Sequence, residues 1–154
     1  METKTDMAFT YFKSGYNCAQ SVLGAFCLEA GLDINTAFKL ANGFGGGVRC
    51  GELCGAVSGA LMALGLQYGF YIENDIKQKN ICNERAYAFI EKFKEENGSV
   101  LCRDLLGCDI RRPADHTTPE AREAHSIKCP ALVTSAVRLL ECMMSEEAKR
   151  LTDS

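Results

Sequence analysis

Little in this 154-residue chain points toward nucleic acid, membrane or secretion. There is no basic excess. Seventeen Lys and Arg stand against 20 Asp and Glu, for a net charge of −3, whereas nucleic-acid binders carry a basic face that meets phosphates. There is no long apolar run either: the most apolar stretch, residues 59–66, is far shorter than the ~20 residues that cross a bilayer. The opening Met1-Glu2-Thr3-Lys4-Thr5-Asp6 is polar and mixed in charge, unlike the basic and then apolar start of a secretion signal. A cytoplasmic protein without membrane insertion is therefore expected. Sustained alternation and clusters of Thr, Val and Ile are scarce, which argues against a sheet. No low-complexity tract, linker or repeat divides the chain, so residues 1–154 read as one domain. Hydrolysis has no foothold, because no Ser/His/Asp order or paired-carboxylate motif stands out.

What the chain does have is nine cysteines. In a reducing compartment such a set points to metal binding or thiol chemistry rather than to a disulfide framework. An odd count also forbids complete internal pairing.

Helical periodicity is frequent. Cys129, Leu132, Val133, Ala136, Val137, Leu140, Met143 and Met144 follow the i, i+3, i+4, i+7 rule, and Pro130 suits a first helical position, with Cys129 as N-cap. A first helix is predicted over 6–13, broken at Ser14-Gly15. Asn17 then caps a second helix running to Ala30, with Gly31 as its stop. Asp33 or Asn35 opens a third, ending near Asn42. A fourth spans 51–67 with Leu53, Val57, Ala60, Leu61 and Leu64 inward. A long charged helix covers 73–96, with Ala86, Phe89, Ile90 and Phe93 as its buried stripe. Ser99 caps a short helix that holds Cys102 and stops at Gly107, and residues 109–128 are mostly irregular with one helical turn at most. The sum is an all-α bundle of about six helices.

Cys18, Cys54, Cys102 and Cys129 each fall on the predicted first turn of a helix. Unpaired N–H groups and the positive end of the helix dipole stabilise anions there, so acidic thiols are expected, and the thiolate is the form that attacks disulfides and binds metals. Cys50 and Cys54, four apart, share a face if the helix begins at Gly51, which makes Cys50 the best extra ligand or resolving thiol. The loop Gly43-Phe44-Gly45-Gly46-Gly47 precedes them, and Gly47, Gly51, Gly55 and Gly59 recur every fourth residue. Glycine inside a helix costs about 1 kcal/mol against alanine, so something must approach closely: a neighbouring helix, a partner subunit or a cofactor. The same spacing makes a homodimer an expectation. A phosphate-binding reading fails, since the loop lacks the lysine and Ser/Thr of a P-loop and no strand precedes it.

The other cysteines look less functional. Cys27 and Cys142 read as small mid-helix side chains and Cys82 as a buried structural thiol, while Cys108, at a helix end, is ambiguous. His116 and His125 stand in a polar stretch without metal spacing and read as solvated.

One ordered pattern runs through the chain: Asn17-Cys18-Ala19-Gln20, Phe44-Gly45-Gly46-Gly47, Cys54-Gly55-Ala56-Val57-Ser58-Gly59, Cys102-Arg103-Asp104-Leu105-Leu106-Gly107, then Cys129. It resembles the redox-active protein family named C_GCAxxG_C_C after its cysteines, related to the cluster-bearing part of split-Soret cytochromes. The resemblance implies a small helical redox protein with Cys18, Cys54, Cys102 and Cys129 as the functional cysteines, supported by a loop of Gly45, Gly46, Gly47, Gly51 and Gly55. It does not bring haem, because Cys-x-x-Cys-His is absent. Three functions then compete. An iron–sulfur protein would use the four thiolates as ligands and pass electrons to an unidentified partner protein. A thiol–disulfide oxidoreductase would use a pair, with Cys18–Cys54 or Cys54–Cys129 favoured over Cys50–Cys54. A non-catalytic zinc protein would use the same thiolates, although only Cys50-x3-Cys54 approaches a knuckle.

Overall fold

The computed structural model describes residues 1–110 and 118–154, so His116 and part of the segment read as irregular lie outside the described residues. The chain is all-α. Helix α1 (Lys4–Lys13) begins two residues earlier than expected because Thr3 and Asp6 form a reciprocal capping box. Helix α2 (Cys18–Phe26) starts behind Asn17 as predicted: the Gln20 N–H donates to Asn17 Oδ1 (3.0 Å) and the Asn17 N–H to Gln20 Oε1 (2.9 Å). It ends at Phe26, four residues short of the predicted stop. Asp33 caps α3 (Ile34–Ala41), and Asp75 caps α5 (Ile76–Asn97), which closes on Gly98 in a left-handed conformation.

Residues 19–26 of α2 are all buried, which makes it the central helix. Helices α1, α3, α4 (Gly55–Tyr68) and α8 (Cys129–Thr152) pack around it, and α5 lies on α4 and α8. Val22 and Leu23 of α2, Leu64 of α4, Phe89 and Phe93 of α5, and Val133, Val137 and Leu140 of α8 fill the core. The predicted stripes of α5 and α8 are thus the buried ones, with Ala86, Ile90, Met143 and Met144 at their half-buried margins.

Three local features depart from the sequence reading. The fourth helix begins at Gly55, not Gly51. Before it, Gly46, Gly47, Val48 and Arg49 take left-handed backbone conformations in succession (φ 62°, 63°, 58° and 55°), and Gly51 follows at 71°. Glycine adopts this region freely. For Val48 and Arg49 it costs about 1–2 kcal/mol each. Cys50 and Cys54 therefore share no helix face.

Second, helix α6 (Cys102–Leu106) starts from Leu101 rather than Ser99, whose hydroxyl instead accepts from the Leu101 N–H at 3.1 Å. Leu101 faces Leu53 in an isolated antiparallel bridge. The Cys54 N–H donates to Val100 O (2.8 Å) and the Cys102 N–H to Glu52 O (2.6 Å).

Third, Cys129 does not cap a free helix start. Helix α7 (Pro119–Glu123) continues through a π-turn (Ala124–Lys128) into α8, and the Cys129 N–H reaches back to Ala124 O. Pro130 explains this. It has no N–H to donate and its ring would strike the carbonyl four residues back, so a wide turn is the way to keep the helix going.

Candidate functional site

Four separate elements deliver the four pattern cysteines to one place. Cys18 is the first residue of α2, and its thiol interacts directly with that of Cys129, the first of α8. Cys54 and Cys102 follow the bridged residues Leu53 and Leu101 by one position each. They stand near enough for the charge that Cys54 would carry to raise the Cys102 thiol. The ion pair of Arg103 with Glu52, and the bond from Arg103 to Gly51 O (3.4 Å), fasten α6 to the left-handed turn. Cys54, Cys102 and Cys129 are buried and Cys18 is partly exposed.

The expected acidity is overturned at Cys18, Cys54 and Cys102. Cys18 is held well above the usual thiol range, first by its direct interaction with the Cys129 thiol, then by burial, then by the negative charge that Cys129, Cys54 and Cys102 would carry. Burial pushes Cys54 up to about 11, although the N–H groups of Ala56 and Val57 pull the other way. Cys102 is pushed up to about 12, by burial first and then by Cys54 and Cys129. The helix-start effect is present at Cys54 but loses to desolvation. Moreover, the N–H groups of Cys54, Cys102 and Cys129 are already spent on backbone acceptors. Without a metal, Cys18, Cys54 and Cys102 are held as neutral thiols.

The glycines keep the wall thin around them. A Cβ on Gly47 would lie 2.7 Å from Cys102 Cβ, and one on Gly55 would lie 3.0 Å from Cys18 Cβ. One on Gly45 would strike the Asn17 side chain at 2.7 Å. Gly59 lies on α2 backbone, where a Cβ would stand 2.6 Å from Ala19 O. The close approach expected from the glycine spacing is therefore a helix and two of the thiols. Gly46 and Gly51 serve by turning the chain.

Cys50 is exposed, and its thiol donates to Gly47 O at 3.3 Å. It stands outside the buried set. Cys27 is core, donating to Gly24 O (3.5 Å), Cys142 is exposed, and Cys82 is only partly buried on α5. Cys108 is half-buried and pushed up by burial, with Cys129 among the charges it senses. His125, read as solvated, is half-buried: its ring lies 5.1 Å from that of Phe12, and both border a cavity that reaches Cys18. Nothing in its spacing could have shown this, since Phe12 is over a hundred residues away in sequence.

Among the described residues, no three His, Cys, Asp or Glu side chains converge on one metal-sized point. A lone tetrahedral zinc ion thus does not fit the donors as they stand. The four thiols do sense one another: Cys18 most directly Cys129, Cys54 also Cys129, and Cys102 first Cys54 and then Cys129. No described helix is long and apolar enough to cross a membrane.

Residues 16–143 match the model of a family described as "Putative redox-active protein (C_GCAxxG_C_C)". All four convergent cysteines lie in that span. No curated protein and no solved structure matches the chain significantly.

Proposed function

Because this chain belongs to the C_GCAxxG_C_C family of redox-active proteins, we propose that Cys18, Cys54, Cys102 and Cys129 hold an iron–sulfur cluster and that the protein carries electrons for a partner protein. The observation that carries this reading is the meeting of four cysteines, from four elements, in one largely buried site. A two-iron cluster takes two thiolates on each iron, so it asks for two pairs rather than four donors around one ion. Such a group supplies a one-electron couple when bound. The chain's own part is to assemble and insulate the thiolates. Burial opposes ionisation of Cys18, Cys54 and Cys102, so they would deprotonate together with metal binding. The N–H groups of Ala56 and Val57 favour negative charge on the Cys54 sulfur, and hydrogen bonds of this kind tune a cluster's potential.

The test is iron and acid-labile sulfide in protein purified without oxygen. Cys54→Ser and Cys129→Ser are expected to lose both, whereas Cys142→Ser, at an exposed site on α8, keeps both. Full iron and sulfide in the first two variants would end the reading.

The direct interaction between the Cys18 and Cys129 thiols favours one alternative, a dithiol that exchanges with a small disulfide. Both thiols would be oxidised to one Cys18–Cys129 disulfide while the small disulfide is reduced to two thiols. The pair differs from the two favoured on sequence grounds. Oxidation followed by alkylation and peptide mapping should then protect Cys18 and Cys129 together. Protection of neither rejects the alternative.

A further inference from the structure

A cavity of about 200 Å³ opens beside Cys18, outside the set of four sulfurs. One wall is the tilted ring pair of Phe12 and His125. Another is Tyr16, whose ring stacks on Phe38 at 3.9 Å. Arg49 and Cys18 also line it, and no described carboxylate does.

Arg49 is exposed and, like Arg150 but unlike Arg85, Arg103 and Arg138, which each face a glutamate, makes no hydrogen bond or ion pair with the described residues. It is also held in a left-handed conformation (φ 55°, ψ 19°) that an arginine rarely adopts. Strained residues persist where surrounding structure fixes them, and they gather at ligand sites. A guanidinium is a planar fork suited to two oxygens of one anion. The cavity is smaller than those that take drug-sized ligands, which excludes a nucleotide.

We propose that this cavity binds a small carboxylate or oxyanion, its charge on Arg49 and its body between Tyr16 and the Phe12–His125 pair, next to the Cys18 sulfur. The site would place a small anionic effector or substrate beside the redox centre. Its existence does not depend on what the four thiolates hold.

The probes are ¹³C-acetate and inorganic phosphate, followed by ligand line broadening at constant ionic strength on the protein as isolated. Wild type should show one saturable site for at least one probe. Arg49→Gln should weaken it about tenfold or more, as expected when a charge-assisted hydrogen bond is removed. Arg49→Lys should retain part of the binding, and Lys149→Gln, on the far part of α8, all of it. No saturable binding, or equal binding in wild type and Arg49→Gln, would overturn the proposal. Iron and sulfide measured on the same samples separate this result from the cluster reading: binding without iron sinks the cluster alone, and iron without binding sinks the anion site alone.

Discussion

A thiol at a helix start is acidic only if the N–H groups there still face it and water or a cation shares the charge. At Cys54 the N–H groups of Ala56 and Val57 do face the sulfur, yet burial carries its pKa to about 11. At Cys102, with no such donors, it reaches about 12. In the reduced, metal-free chain these thiols should alkylate slowly. At pH 8, a thiol that titrates near 11 is about a hundredfold less ionised than one near 9, before burial slows it further. Time-resolved iodoacetamide labelling with peptide mapping is expected to modify exposed Cys142 well before Cys54 and Cys102; equal rates would refute the raised values. The sign for stability follows. A folded-state pKa raised above the unfolded value of about 9 means that the fold favours the neutral thiol. Its contribution is therefore complete below about pH 9 and lost as pH rises toward 11 and 12. Urea melts of the metal-free reduced chain should show stability falling across that window, and falling less steeply in Cys102→Ala.

Two of the three glycines of helix α4 stand in opposite situations. Gly59 lies against α2, where an added Cβ would meet Ala19 O at 2.6 Å and Ala19 Cα at 3.1 Å. Both obstacles are backbone, so the helices themselves must separate. Gly59→Ala is expected to destabilise by about 1–3 kcal/mol and to disturb the placement of Cys18 and Cys54. Gly65 has nothing within 4 Å of its would-be Cβ, so Gly65→Ala is expected to stabilise by about 0.5–1 kcal/mol. Denaturant titration of both variants checks the pair; the same sign in both would show that α2 and α4 do not touch as described. At this scale the caps were legible: Asn17 before Cys18, Asp33 before Ile34 and Gly98 after Asn97 all act where their chemistry placed them. The π-turn and the Leu53–Leu101 bridge were not. Pro130 carries the same signal at a helix start and at a helix continued by a wide turn, and only the preceding α7 decides between them. A single-residue bridge has no alternation to read, since its partners come from distant segments.

The all-α architecture followed from periodicity, because amphipathic stripes need no knowledge of their partners. The meeting of Cys18, Cys54, Cys102 and Cys129 was legible as a pattern but not as a geometry. Which thiols meet depends on how α2, α8 and the bridge pack, and the two that interact most directly at Cys18, its own and that of Cys129, span most of the chain. The same holds for Arg49 and His125, which stand apart in sequence and meet only around the cavity beside Cys18. The family match over residues 16–143 makes the chain a member of a redox-active family, and the proposed function puts that activity where the four cysteines meet. The most direct measurement is the visible absorption spectrum of protein purified without oxygen, with iron and acid-labile sulfide determined on the same sample. The expected result is broad sulfur-to-iron charge-transfer bands with about two irons and two sulfides per chain. A colourless protein that takes up no iron, even after anaerobic reconstitution with iron and sulfide, would contradict a cluster held by these four cysteines.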